Sequence, residues 1–255
     1  MISQEEYRAY VKNFKSVERY LKSKSAPADV VAYNICKLRE YQVERMQKVL
    51  MDTGFMFIEG NDSVYDPLRE GTEDLALFSK DGNFLLSKRF IFPVKDMLGN
   101  TIALIGWFPD DKKYITTPSK LFSKNCLFYG MEQLAVTGIG KPYFLCEGIF
   151  DRLSILSLGL PAVSQMGIVS SRVKFVLYSL FSRLVGIPDN DVQGRDVLWN
   201  DKWSLPSNSS YFRWTGDDSK DIDKLINSYE AEDVKEMLIS ALKNKNERII
   251  KEELG

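Results

Sequence analysis

The stretch KPYFLCEGIFDRLSILSLGLPAVSQMG, residues 141–167, decides the fold. An apolar run, PYFLCE, precedes a helical pattern at residues 149–158, and a second apolar run, LPAVSQ, follows it. A third run, RLVGIP, begins at Arg183 after another helical pattern at residues 170–181. Short apolar runs that alternate with helices are typical of a parallel sheet covered on both faces. The sequence therefore predicts an α/β fold for this part and α+β for the chain as a whole.

Two other regions precede this sheet part, and one follows it. Helical spacing of apolar residues predicts helices near the start of the chain, including Val43–Thr53, which ends at Gly54. Short strands with tight turns are expected at residues 84–86, 89–94, 101–107 and 114–115. We predict a helical N-terminal region at 1–80, a small mixed α/β basic part at 81–140, the parallel-sheet part at 141–226 and a helical tail at 227–255.

The composition excludes several kinds of chemistry. The 255 residues contain no histidine and only three cysteines, none in CxxC spacing. Histidine-based catalysis, Ser-His-Asp triads and Cys/His zinc sites are therefore excluded, and a bound metal must be a hard cation held by oxygen. The polar N-terminus has no signal-peptide pattern, and no apolar run is long enough to cross a membrane. We expect a cytoplasmic protein with no membrane partner.

The charge distribution is more informative than the net charge of −1. Seven basic residues between Phe84 and Cys126 face only three acidic residues, and the C-terminal half is acidic. This asymmetry is consistent with a phosphate-binding surface beside a metal site. An ordinary solvated face explains it equally well.

Three pairs of carboxylates lie at or just beyond the ends of predicted strands. In an open parallel sheet, ligands bind beyond the carboxyl ends of the strands, where these groups are expected to converge. Carboxylates that converge repel one another, and a divalent cation such as Mg²⁺ removes this conflict. Taken singly, each pair is explained better by helix capping or by exposure to water, and only the three pairs together, each after a strand, favour a metal site. The pairs are Glu147 and Asp151, Asp189 and Asp191, and Asp221 and Asp223.

The motifs together resemble those of a known family. EGIFD after an apolar strand, then PAVSQMG, then GIPDNDVQG, is similar to the TOPRIM domain of DnaG-type primases, topoisomerases and related nucleases. The upstream stretches KRFIFPVKDMLGNTIALIGW and YITTPSKLFSKNCLFYG resemble the primases in particular, and SKDIDKLI is similar to their late carboxylate motif. The resemblance covers roughly residues 75–226.

The resemblance implies an RNA polymerase core with a basic subdomain and a TOPRIM subdomain. It implies primer synthesis from ribonucleoside triphosphates on single-stranded DNA, with Mg²⁺ or Mn²⁺ and no zinc. The resemblance also implies that Glu147 acts as the general acid or base at the reacting hydroxyl. The implied catalytic residues are Glu147, Asp189 and Asp191. The implied metal ligands are Glu147, Asp151, Asp189, Asp191, Asp221 and Asp223, and the implied nucleotide or DNA contacts are Lys88, Arg89 and Lys124.

The chain also departs from the family pattern. Trp107 stands where the family usually has a basic residue, and Thr116 stands where it usually has Asn. The sequence lacks the Cys/His zinc-binding domain that normally precedes such a core. We therefore expect a separate zinc-binding or template-recognition protein as a partner, and the resemblance to primases implies a replicative helicase as another. The compact core suggests a phage-like origin.

Two alternatives use the same residues differently. A TOPRIM-type nuclease needs the carboxylates but no triphosphate-binding surface, and the basic stretch at residues 88–130 argues against it. A topoisomerase needs further domains with a nucleophilic tyrosine. A non-catalytic replication accessory that binds DNA has no need of all six carboxylates.

Overall fold

A computed structural model describes residues 3–60, 62–70, 72–110, 113–119, 121–167, 171–214 and 219–243. The chain divides into two compact units, Met1–Ser123 and Lys124–Gly255. In the described part of the chain, no helix is both long and apolar enough to cross a membrane.

The first unit begins with helices. Helix α1 (Gln4–Lys24) starts with a capping box in which Ser3 Oγ accepts the Glu6 N–H at 3.1 Å and the Glu6 carboxylate accepts the Ser3 N–H at 2.6 Å. Helix α3 (Val43–Thr53) is followed by Gly54, whose φ of 78° is left-handed, as expected for this position. The helices are α1 (Gln4–Lys24), α2 (Ala28–Arg39), α3 (Val43–Thr53) and the short α4 (Asp62–Tyr65).

A four-stranded antiparallel sheet completes the first unit. Its strands are β1 (Met56–Phe57), β2 (Phe90–Lys95), β3 (Thr101–Phe108) and β4 (Lys113–Thr116), paired in the order β1-β2-β3-β4. The strands expected at 89–94, 101–107 and 114–115 are therefore present. The strand expected at 84–86 is wrong, because Phe84 forms only an isolated bridge with Phe78. Phe84 and Leu86 are apolar because they fill the core, not because they pair in a sheet.

The core of this unit lies between α1 and the sheet. Residues on one stripe of α1, among them Phe14 and Leu21, are fully buried against Ile91 of β2 and Leu104 of β3. Burial of this apolar surface is the main stabilising term for such a unit. The sheet is thereby held as a firm base for the basic residues at the start of β2.

The second unit is built on a parallel sheet. Its strands are β5 (Pro142–Cys146), β6 (Ala162–Ser164), β7 (Arg183–Ile187) and β8 (Ser210–Tyr211), all parallel and paired in the order β6-β5-β7-β8. The helices are α5 (Leu134–Thr137), α6 (Ile149–Ser157), α7 (Arg172–Leu177), α8 (Val192–Asn200), α9 (Ile222–Ser228) and α10 (Ala231–Lys243). The α/β fold predicted from the alternating pattern is confirmed.

Both faces of the central strands of this sheet are covered, which explains their continuous apolar runs. Because side chains alternate along a strand, Phe144 and Cys146 point to one face and join a core with residues of α6, α9 and α10. Tyr143 points to the other face, where its ring lies 5.1 Å from that of Phe181. Phe128 packs beside Phe181 there, with 6.0 Å between ring centroids.

The boundary between the units differs from the one expected at 140/141. Residues 124–140 belong with the parallel sheet, because Tyr129 exchanges two backbone hydrogen bonds with Ser164 of β6, at 3.0 and 2.9 Å.

The helix expected at 170–181 is α7 followed by a 3₁₀ turn at Tyr178–Leu180; Ser170 lies outside the described residues. The tail predicted at 227–255 contains the end of α9 and the whole of α10, and residues after Lys243 lie outside the described part.

Candidate functional site

Three of the six predicted carboxylates cap helices. Asp191 Oδ1 accepts the Gly194 N–H at 2.8 Å at the start of α8, and Asp221 Oδ1 accepts the Lys224 N–H at 2.7 Å at the start of α9. Asp151 Oδ2 accepts the Gly148 N–H at 2.8 Å in the first turn of α6. These three carboxylates therefore do cap helices. Each of them lies at a helix start beside the carboxyl edge of the sheet.

Asp151 and Asp223 are joined in a buried hydrogen-bond network between α6 and α9. The Asp223 N–H donates to Asp151 Oδ1 at 3.3 Å, and the Ser154 hydroxyl donates to Asp223 Oδ1. The Asn227 amide donates to the same oxygen at 3.2 Å. Ser154 and Asn227 were not singled out from the sequence, since nothing in their local pattern marks them. These bonds fix both carboxylates to their helices.

Glu147 is bound differently. It follows β5 directly, and the backbone N–H of Asp189, which follows β7, donates to its carboxylate. Its second oxygen, Oε2, is buried and has no hydrogen-bond partner among the described residues. A buried carboxylate oxygen without a partner is unfavourable and needs a compensating group.

The charges of these groups act on one another. Burial raises the pKa of Asp189, and the charges of Asp151, Glu147, Asp221 and Asp191 raise it further. Burial also raises the pKa of Asp151, with further contributions from Asp223 and Asp221.

Burial raises the pKa of Glu147 as well; the Asp189 backbone partly opposes this, and Asp191 adds to it. Each of the six carboxylates thus interacts electrostatically with at least one other of the set at this edge of the sheet.

The donor set fits a hard divalent cation. The six carboxylates supply oxygen donors at this edge, and carboxylate oxygens are the ligands that Mg²⁺ and Mn²⁺ prefer. The unpartnered Oε2 of Glu147 is the group that such a cation would satisfy. Within the described ranges, however, no three acidic or cysteine side chains already form a ready set of ligands for one ion.

Gly194 allows the helix that carries Asp191 to approach the strand end closely. A Cβ atom at this position would lie 1.7 Å from the Asp189 carbonyl oxygen. No side chain can be accommodated at that distance. Asp189 and the start of α8 can therefore pack against each other only because residue 194 is glycine.

The predicted phosphate contacts fall in both units. In the first unit, Lys88 is exposed and has a left-handed φ of 54°, while the guanidinium of the adjacent Arg89 lies 5.2 Å from the Phe108 ring. Arg89 Nη1 is buried without a hydrogen-bond partner in the part of the chain that the structure describes. Lys124 is exposed in the second unit. Trp107 is buried within β3, so it is a core residue and not a free surface for stacking a base.

Sequence reasoning missed Lys174. It lies in α7 within the apolar run VKFVLY, and only 1% of its surface is exposed. Its ammonium donates to the carbonyl oxygen of Gln165, the residue after β6. The one sequence feature that could have indicated a buried lysine was its position within an apolar helical run.

The chain has relatives among bacterial primases, although no family model matches it. It is 26% identical to the DNA primase of Haemophilus influenzae over 170 residues, which are 64% of this chain and 26% of that protein. It is 33% identical to the DNA primase of Borreliella burgdorferi over 117 residues, 42% of this chain and 22% of that protein. The chain spans about a quarter of the length of the relatives that it matches.

Solved structures show the same fold. The DnaG primase catalytic domain bound to single-stranded DNA matches with a TM-score of 0.75 at 19% identity, covering 93% of this chain and 80% of that one. The E. coli primase catalytic core matches with a TM-score of 0.72 at 20% identity, covering 90% and 79%. The chain therefore has the architecture of a primase catalytic core. More particularly, the resemblance to DnaG-type primases with a TOPRIM core is confirmed.

In metal-free buffer, we expect the free energy of unfolding to fall as pH rises from about 4 to about 8. Burial and like charges raise the pKa of Asp151 and Asp189 in the folded chain. The folded state therefore binds more protons than the unfolded chain in this range and loses stability as they dissociate. Urea unfolding at a series of pH values measures the slope.

The Asp189→Asn variant cannot ionise at this position and should flatten that slope, with a gain of about 1–2 kcal/mol at about pH 8. Asp196→Asn, in α8 and paired with Lys202, is the control, because Lys202 lowers the pKa of Asp196. Equal slopes in wild type and Asp189→Asn would contradict the charge repulsion described here.

Replacing Gly194 by alanine should destabilise the chain by about 3 kcal/mol or more, because the added Cβ would overlap the Asp189 carbonyl oxygen. Thermal unfolding measures the loss. Arg195→Ala, at the next and exposed position of α8, is the control and should change Tm little. A Gly194→Ala protein as stable as this control would mean that α8 lies farther from Asp189.

Proposed function

We propose that this chain is a primase catalytic core that synthesises short RNA primers from ribonucleoside triphosphates on single-stranded DNA. The observation that carries the proposal is the gathering of six carboxylates at the carboxyl edge of the parallel sheet, with Glu147 Oε2 buried and unpartnered. The primase relatives and the shared fold of the catalytic cores support it.

Glu147, Asp189, Asp191 and Asp221 are the residues that would hold a divalent cation, Mg²⁺ or Mn²⁺, because they lie at strand ends or helix starts along the carboxyl edge of the sheet. When bound, such a cation supplies the charge that orients a triphosphate and offsets the charge developing in nucleotidyl transfer. Asp151 and Asp223 complete the family's ligand set. Because Asp151 and Asp223 already form hydrogen bonds between α6 and α9, we expect them to support the other ligands and not to bind the cation directly.

Glu147 is the proposed acid–base group. The pKa of Glu147 is raised, so its carboxylate is a stronger base than that of an exposed glutamate. A stronger base suits a group that accepts a proton from the attacking 3′-hydroxyl. Oε2 is the oxygen that would serve either as cation ligand or as proton acceptor, and not as both at once, because the other oxygen accepts the Asp189 N–H. Asp189 thereby orients Glu147 as well as adding charge to the site.

Lys88, Arg89 and Lys124 are the proposed contacts to template or nucleotide phosphates. The buried and unpartnered Nη1 of Arg89 supports this most directly, because an anion would satisfy it. The left-handed conformation of Lys88 is strained for a non-glycine residue, and such strain is concentrated at functional positions.

A metal-dependent nuclease is the second candidate function, because hydrolysis can use the same carboxylates. A DNA-binding accessory without activity is the third. The replicative helicase, a separate zinc-binding or template-recognition protein, the cytoplasmic location and the phage-like origin stay predictions.

The Asp189→Asn and Asp191→Asn variants should each lower primer synthesis at least about a hundredfold and leave the fold intact. Asparagine at position 191 keeps the helix cap, so a loss of activity there reports the lost charge and not a frayed helix. Incorporation of labelled ribonucleotides on single-stranded DNA with Mg²⁺ measures the effect. Asp196→Asn, in the same helix, is the matched control and should retain wild-type activity.

Full activity in both site variants would contradict the site assignment. Mg²⁺-dependent degradation of the template without RNA products would favour the nuclease. Binding of single-stranded DNA with neither activity would favour the accessory.

Affinity for single-stranded DNA should fall steeply between about 50 mM and about 200 mM salt, because lysines and arginines that neutralise phosphates release counterions. Arg89→Ala should make the slope of log K against log salt shallower by about 0.7. Fluorescence anisotropy with a labelled oligonucleotide measures both. Lys80→Ala, an exposed lysine of the same unit, is the control, and a slope in Arg89→Ala as steep as in wild type would mean that Arg89 contacts no phosphate.

A further inference from the structure

The last residue of β6 and the loop after it, together residues 164–167, hold the backbone of Glu147. We call these residues the β6 loop. The Ser164 hydroxyl and the Met166 N–H both donate to the Glu147 carbonyl oxygen, each at 2.9 Å. The Gln165 N–H donates to the carbonyl of Cys146 at 2.8 Å. The peptide group that carries the proposed acid–base residue is therefore fixed by its neighbour loop rather than by the sheet ladder alone.

The β6 loop is not in a relaxed conformation. Met166 has a left-handed φ of 56°, which is unfavourable for a residue with a long side chain. A strained residue keeps such a conformation only when its surroundings hold it. The side-chain amide of Gln165 is buried but has no hydrogen-bond partner in the described part of the chain, so this amide does not provide the hold.

Lys174 provides a hold from the opposite side. Its ammonium, on α7, donates to the Gln165 carbonyl and lies 5.4 Å from the centroid of the Phe128 ring. Burial lowers the pKa of Lys174 to about 7; Cys126 partly offsets this and Lys124 adds to it. An apolar side chain would fill the same space without the desolvation of an ammonium. Packing alone therefore does not account for an ammonium group here, whereas its hydrogen bond to the Gln165 carbonyl does.

We propose that Lys174 is a positioning residue for the candidate active site. Its ammonium fixes the β6 loop through the Gln165 carbonyl, and the loop fixes the Glu147 peptide and so the direction of the Glu147 carboxylate. The inference rests on the proposed function in one respect, the assignment of Glu147 to the active site. The hold on the loop itself does not depend on that assignment.

Three variants of the full chain separate positioning from stability. Lys174→Met removes the donor and keeps an unbranched side chain that fills the site. Lys174→Arg keeps a cationic donor. Tyr178→Phe is the matched control, because it removes another buried hydrogen bond on the same side of the sheet, from the Tyr178 hydroxyl to the Trp203 carbonyl at 2.7 Å, without touching the β6 loop.

The first measurement is hydrogen exchange of the Met166 amide without metal. Lys174→Met should speed this exchange about tenfold, in line with the loss of one hydrogen bond made by a charged group. Lys174→Arg should restore at least part of the protection, and Tyr178→Phe should leave the Met166 amide at its wild-type rate. Exchange in Lys174→Met that matches wild type, or that rises equally in Tyr178→Phe, would overturn the proposal.

The second measurement is the Mg²⁺ concentration at the midpoint of thermal stabilisation, with the turnover number for primer synthesis beside it. Lys174→Met should raise the midpoint and lower turnover about tenfold, since a misdirected carboxylate binds and reacts less well. A lower Tm with an unchanged midpoint and turnover would show a structural residue only, against the proposal. If wild type itself shows neither Mg²⁺ stabilisation nor primers, the proposed function is wrong, while the exchange result still decides whether Lys174 holds the loop.

Discussion

Mutual repulsion among carboxylates at one edge of a parallel sheet is the constraint on which the second unit depends. Parallel pairing of β5 with β7 brings Glu147 and Asp189 to neighbouring strand ends, and the helix starts add four more acidic groups. Burial removes much of the water that would screen them, which is why the pKa of Asp189 rises so far above its ordinary value. The repulsion among these carboxylates is unfavourable without a cation, and a bound cation would relieve it.

The same side chains also stabilise the fold that gathers them. Asp191 and Asp221 satisfy backbone N–H groups at the starts of α8 and α9, and Asp151 does so at α6. Helix capping and cation binding are therefore not exclusive, because a carboxylate has two oxygens and several lone pairs. Glu147 caps no helix, and it keeps one buried oxygen free of partners among the described residues.

The positions of these groups rest on close backbone approaches as much as on the acidic residues. Gly194 lets α8 reach Asp189, and the β6 loop holds the Glu147 peptide from the next strand. Interiors are densely packed, so a shift of any of these segments moves a carboxylate. Function at this edge thus depends on residues that carry no acidic group, Lys174 among them.

The sequence by itself determined the alternation of strands and helices, the order of the acidic motifs and the exclusion of histidine chemistry, because periodicity and composition are local properties. It misjudged residues 84–86, where an apolar run serves the core instead of a strand, since a strand requires a partner that local pattern does not reveal. Only the tertiary structure decided that Trp107 is buried, that Asp151 and Asp223 share one network, and that Lys174 reaches the β6 loop. Each of these is a contact between segments distant in the chain, and the free energy of such contacts depends on burial and neighbours that no single stretch of sequence specifies.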